Sequence, residues 1–87
     1  MYRLLLDCTR TDYDADTGYA GFITLKFEEA GDRELAIATA IKKTKFQMAA
    51  KGFTPDEIEA FRFEVEEIEL VDPARVDCSV EAGFAYY

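Results

Sequence analysis

The segment from Asp32 to Gly52 is the one long stretch of this chain that carries helical punctuation, and the sequence on both sides of it alternates in twos. That combination restricts the fold to one main helix laid against strands. Asp32, after Gly31, can cap the helix, because its carboxylate can accept an unpaired N–H of the first turn. Glu34 in that turn and the lysines further along match the helix dipole. Gly52 supplies the stop, since glycine tolerates positive φ. At about 100° per residue, Ile37, Ala40, Ile41, Thr44 and Met48 form one face, expected to lie on the sheet. Leu35 and Phe46 fall well round the cylinder, beside Ala49 and Lys42, and are expected to meet a loop or to stay exposed.

Before the helix, residues 2–8 place Tyr2, Leu4, Leu6 and Cys8 on one parity, with Arg3 and Asp7 on the other. That is a strand with one buried face. The polar stretch 9–18 reads as a hairpin loop. Residues 19–28 alternate again, with Ile23, Leu25 and Phe27 expected to point inward and Phe22, Thr24, Lys26 and Glu28 outward. These two strands are expected to pair antiparallel.

After the helix, Thr54-Pro55-Asp56-Glu57 reads as a capping box with proline at N1, starting a short helix near residues 55–60. Residues 61–71 form a strand whose parity breaks. Phe61, Phe63 and Val65 share one phase, Ile68 and Leu70 the other, with Glu66-Glu67 at the switch. A β-bulge there would restore a single apolar face. Asp72-Pro73 makes a turn. Residues 76–86 alternate once more, and a second hairpin between the last two strands is expected.

The expected fold is therefore one α+β domain over residues 1–87. It has an antiparallel four-stranded sheet in the order β-β-α-β-β, the main helix on one face, and a short helical turn before the third strand. The other sheet face is expected to carry Phe22, Thr24, Lys26, Arg62 and Glu64 and to face water. A length of 87 residues and a hydrophobic content of 49% fit one such domain with a thin core.

The net charge is −8, from 18 acidic and 10 basic residues. Such a field repels phosphate backbones and anionic lipids, which argues against direct nucleic-acid or membrane binding and favours a basic partner. Histidine is absent, which removes the commonest general acid/base and transition-metal ligand. The two cysteines, Cys8 and Cys78, lack CxxC spacing and fall on apolar parities, where thiols act as small hydrophobes. The start, MYRLLLDCTR, falls short of a signal peptide's apolar core, so a cytoplasmic address with reduced thiols is expected. No nucleophile–base pair is evident, and no enzyme activity or cofactor is expected.

Two acidic groups are the candidate binding sites. In the third strand, Glu64, Glu66, Glu67 and Glu69 form a stripe, with Glu64 and Glu66 expected on one face at a spacing of about 6–7 Å. That spacing imitates successive phosphates and would suit a basic groove. The alternative is a solvated edge that resists aggregation. In the first loop, Asp12, Asp14 and Asp16 repeat at i, i+2 and i+4, as at the start of a calcium loop. Thr17 and Ile23 stand where an EF-hand needs Gly and Glu, so an EF-hand is rejected. A weak cation site and a turn-forming hairpin tip are the remaining readings. Lys42, Lys43, Lys45 and Lys51 make the second half of the helix basic, serving either an anion contact or dipole and ion-pair balance. Tyr13, Tyr19, Tyr86 and Tyr87 serve either an interface or hairpin packing.

The small size, the acidity and the β-β-α-β-β order resemble those of small phage-encoded anti-CRISPR proteins, in architecture and charge and without a shared motif. That resemblance implies stoichiometric binding to a CRISPR effector, with an acidic surface blocking its guide or target channel in the host cytoplasm. The expected function is thus a non-catalytic binding inhibitor acting on a basic protein such as a nucleic-acid-binding complex. The alternatives are a homodimeric assembly module, pairing through exposed strands or through Phe46 and Leu35, and a weak calcium-binding domain.

Overall fold

The computed structural model describes residues 1–12, 18–75 and 83–87. In chain order they form β1 (Tyr2–Arg10), β2 (Gly21–Glu28), α1 (Arg33–Ala50), α2 (Pro55–Glu59), β3 (Phe61–Leu70) and β4 (Ala85–Tyr86). The strands make one antiparallel sheet in the order β3-β1-β2-β4, with α1 across one face. This is the expected α+β architecture.

The helix boundaries follow the local chemistry. Asp32 is extended, and its Oδ1 accepts the Leu35 N–H at 2.8 Å. At the far end Gly52 takes φ +100°, which an L-residue resists, and the Phe53 N–H returns to the Met48 carbonyl at 3.1 Å. The capping box of α2 is complete. Thr54 Oγ1 accepts the Glu57 N–H at 3.2 Å, and Glu57 Oε1 accepts the Thr54 N–H at 2.9 Å.

The core lies between α1 and the sheet. Leu4, Leu6 and Cys8 of β1, Phe22 of β2, Ala36, Ala40 and Met48 of α1, and Phe61 of β3 are buried. Thr44 completes the buried face of α1 and satisfies its hydroxyl by donating to the Ala40 carbonyl at 2.8 Å. Short side chains along this face let the helix axis approach the sheet. Ile37 and Ile41 pack half-buried beside it. Leu35 and Phe46 are exposed on the outside, the second of the two outcomes foreseen for them.

Two expectations are corrected. The first concerns which way β2 faces. Cys8 lies opposite Phe22, Leu6 opposite Thr24 and Leu4 opposite Lys26, and residues directly opposite in a sheet share a face. Phe22, Thr24, Lys26 and Glu28 therefore point at the helix and are buried, while Ile23, Leu25 and Phe27 lie on the open face, half-buried. Both parities of β2 carry apolar atoms, so hydropathy alone cannot choose between them. Pairing with β1 decides. The polar groups on the buried side are matched: Lys26 Nζ donates to Thr24 Oγ1 at 2.8 Å, and Lys43 Nζ donates to Glu28 Oε1 at 3.1 Å. The lysine stem adds apolar contact in the layer.

The second correction concerns the last two strands. β3 pairs with β1, and β4 pairs with β2 through Phe22–Tyr86 and Ile23–Ala85. They lie at opposite edges of the sheet and do not form a hairpin. The Asp72-Pro73 turn does form, with Asp72 accepting the Ala74 N–H on its side chain and the Arg75 N–H on its carbonyl, each at 2.9 Å. Most of the alternating segment 76–86 lies outside the described residues.

Candidate functional site

The expected bulge is present in β3. Leu5 of β1 lies opposite Glu67 and the next residue, Leu6, opposite Val65, so Glu66 is the extra residue. Before the bulge, Phe61, Phe63 and Val65 face the helix; after it, Ile68 and Leu70 do. The same insertion sorts the carboxylates. Glu64, Glu67 and Glu69 lie opposite Asp7, Leu5 and Arg3, so all three project from the open face in one row. Glu64 is thus followed along its face by Glu67, which corrects the expected Glu64–Glu66 pair. Glu66 sits at the bulge itself.

All four glutamates are exposed. Arg3, from the neighbouring strand, reaches Glu67 at 3.4 Å and Glu69 at 3.3 Å, and Arg62 reaches Glu64 at 3.0 Å. These ion pairs are open to water and hold the side chains only weakly. Glu66 has no ion pair among the described residues. A depression of about 440 Å³ opens at the bulge, lined by Arg33, Val65, Glu66, Glu67, Ile68 and Glu69. Arg3 and Asp7 of β1 join this surface opposite Glu69 and Glu64, although neither was among the candidate binding residues. Their shared outward parity in β1 is the signal that places them there.

Across the open face the chemistry changes strand by strand. β3 presents its carboxylates, β1 presents Arg3, Leu5, Asp7 and Thr9, and β2 presents Ile23, Leu25 and Phe27. This face is less polar than expected. Tyr87 donates to Asp7 Oδ1, and Thr9 Oγ1, 2.9 Å from the Tyr87 hydroxyl and 3.3 Å from the same Asp7 oxygen, has one proton to share between them. Burial and the Asp7 bond together raise the pKa of the Tyr87 hydroxyl.

The second acidic group is described only at Asp12. Arg10 Nε donates to Asp12 Oδ1 at 3.1 Å and its Nη2 to Oδ2 at 3.4 Å. That pairing holds the Asp12 carboxyl below its usual range and engages the oxygens a cation would need. Asp14 and Asp16 lie outside the described residues, as do Tyr13 and Cys78. No group of three or more potential metal-ligating side chains occurs among the described residues.

The helix lysines are mostly engaged within the molecule. Lys43 pairs with Glu28, Lys45 lies 5.3 Å from the Phe63 ring centroid, and Lys51 lies 5.0 Å from that of Phe84. Lys42 is exposed with no ion pair among the described residues, beside Phe46, which is 77% exposed. Tyr19 and Tyr86 meet edge to face at 4.8 Å within the packing around Phe22 and Phe84. Cys8 is buried, and desolvation first, then the Asp7 charge, push its thiol up to about 12. Among the described residues no helix is long and apolar enough to cross a membrane.

No family model, no curated protein and no solved structure matches this chain.

Proposed function

We propose that this chain is a non-catalytic binding module that docks its acidic edge strand onto a basic protein surface, in the manner of an inhibitor that occupies a nucleic-acid-binding groove. The observation that carries the reading is the sorting done by the bulge. It turns Glu64, Glu67 and Glu69 into one exposed row and leaves Glu66 projecting at the edge. Successive residues on one face of a strand are spaced about 6–7 Å apart, close to the phosphate repeat of a nucleic-acid strand. The weak pairs to Arg3 and Arg62 can open in favour of a partner's cations at little cost.

The resemblance to small anti-CRISPR proteins names the first partner class to try. Nucleic-acid cleavage by a panel of guide-loaded CRISPR effectors, titrated with the protein, is the test. Cleavage should fall to its floor near one equivalent for an effector that is the target, and the combined variant E64K/E66K/E67K/E69K should not inhibit. Cleavage unchanged across the panel removes this partner class.

A second reading has its own observation. Phe46 and Leu35 are 77% and 53% exposed on the outer side of α1, and exposed aromatic residues favour interfaces. A homodimer through this face should appear in sedimentation at high micromolar concentration and disappear in Phe46→Asp. A strict monomer ends that reading.

A further inference from the structure

We propose that β3 is a receiving edge: a partner's extended segment, alternating lysine or arginine with apolar residues, adds to it as a fifth strand. This rests on the reading of β3 as the docking surface and specifies what docks there. The carrying feature is the backbone. β3 is the outermost strand of the sheet, paired with β1 from Phe61 to Leu70 on either side of the bulge at Glu66 and, among the described residues, with nothing on its other side. Its outward N–H and C=O groups are a template for another strand.

The side chains determine which strand can use that template. A second copy of β3 would set one glutamate row against another, and like charges directly opposed destabilise a strand pair. The edge is thereby closed to self-pairing and open to opposite charge. On the open face, residues of an added strand beside Glu64, Glu67 and Glu69 would be basic. Its alternate residues would point to the helix side, where Val65 and Ile68 line the depression of about 440 Å³ at the bulge. Leu70, also on the helix side, is 71% exposed at the end of the row. Within the depression Val65 and Ile68 offer an anchor residue apolar contact beside the ladder, and Glu66, Glu67 and Glu69 outnumber the one cation in the lining, Arg33, in setting the sign of the flanking residues. The bulge at Glu66 divides the ladder, so pairing runs over Phe61–Val65 on one side and Glu67–Leu70 on the other.

The experiment uses the intact protein and two synthetic ten-residue peptides of alternating lysine and valine, one unmodified and one N-methylated on its central backbone nitrogens. Charge and composition of the side chains are the same, but the methylated peptide cannot donate to a ladder. Affinity is read by calorimetry, and main-chain pairing by amide hydrogen exchange across residues 61–70. The unmodified peptide should bind at least tenfold more tightly and should slow exchange at the outward-facing amides of β3. Equal affinity of the two peptides with unchanged exchange overturns strand addition while leaving electrostatic docking of the acidic row intact. Slowed exchange confined to β2 or α1 also overturns it, by placing the peptide elsewhere. Failure of both peptides to bind at low salt overturns strand addition together with the reading on which it rests.

Discussion

Glu64 and Glu67 are successive neighbours along the open face of β3, although Val65 and Glu66 lie between them in the sequence. One inserted residue brings this about, and it also keeps Val65 and Ile68 on the helix side. Packing and surface charge in this strand therefore have a common origin.

Deleting Glu66 should expose this dependence. Without the extra residue, either Phe61, Phe63 and Val65 or Ile68 and Leu70 must turn to the open face. Burying an apolar side chain of this size contributes about 1.5–3 kcal/mol. Ile68 is half-buried and Leu70 is 71% exposed, so turning that pair is the cheaper outcome, and urea denaturation should show a loss of about 1–2 kcal/mol. Glu66→Ala, which keeps the bulge, should change stability by less than about 0.5 kcal/mol.

The caps give a second set of expectations. Asp32→Ala and Thr54→Ala should each cost about 1 kcal/mol, measured by the same denaturation. The Thr54 backbone N–H, and then its hydroxyl, hold the Glu57 carboxyl below its usual range. A folded-state pKa below the unfolded one contributes stability above the unfolded value and loses it as pH falls through the folded value. Glu57 should thus contribute to a decline in stability from about pH 5 towards pH 3. Glu57→Gln keeps the box's acceptor but not its charge, so it should flatten that decline by lowering the neutral-pH stability towards the acid value.

Cys8 should be inert in the folded protein. Burial raises its thiol to about 12, so almost no thiolate exists at pH 8. In a Cys78→Ser background, iodoacetamide should label Cys8 only as fast as the chain opens, and completely in denaturant. Rapid labelling of the native protein would contradict the packing described.

Gly21 lies close against Cys8 of β1 and is hydrogen-bonded to Tyr87, whose N–H donates to its carbonyl at 3.0 Å. A methyl at Gly21 would fall inside contact distance of the Cys8 carbonyl oxygen and 2.9 Å from the Tyr87 hydroxyl. Gly21→Ala should cost about 1–3 kcal/mol, because backbone cannot yield as a flexible side chain can. Tyr87→Phe removes the hydroxyl that bonds Thr9 at 2.9 Å and also Asp7, and should cost about 0.5–1.5 kcal/mol. Both are measured by thermal or chemical unfolding.

Much of this structure was legible from local chemistry. The Asp32 cap, the Gly52 stop and the Thr54–Glu57 box depend on neighbours within a few residues, and the structure has all three. The bulge was legible because a parity break can be resolved in few ways when one face must stay apolar. The facing of β2 was not. Its two parities, Ile23/Leu25/Phe27 and Phe22/Thr24/Lys26, differ by polar groups that are satisfied only after α1 and β2 meet, as Glu28 is by Lys43. The strand order was equally non-local, since an alternating segment carries no record of which edge it joins. For the acidic row, residue identity was legible, but its alignment and its pairing to Arg3 required the register with β1.

The most direct test of the central claim separates the row on β3 from the chain's overall charge of −8. Binding of the alternating lysine–valine peptide is compared between E64Q/E67Q/E69Q and a control, E29Q/E34Q/E59Q, whose three carboxylates are exposed elsewhere. Both variants change the net charge equally. The account predicts at least a tenfold loss of affinity for the β3 variant, with a shallower salt dependence, and less than a threefold loss for the control. Equal losses in the two variants would mean that net charge alone drives binding and would contradict a docking site on β3.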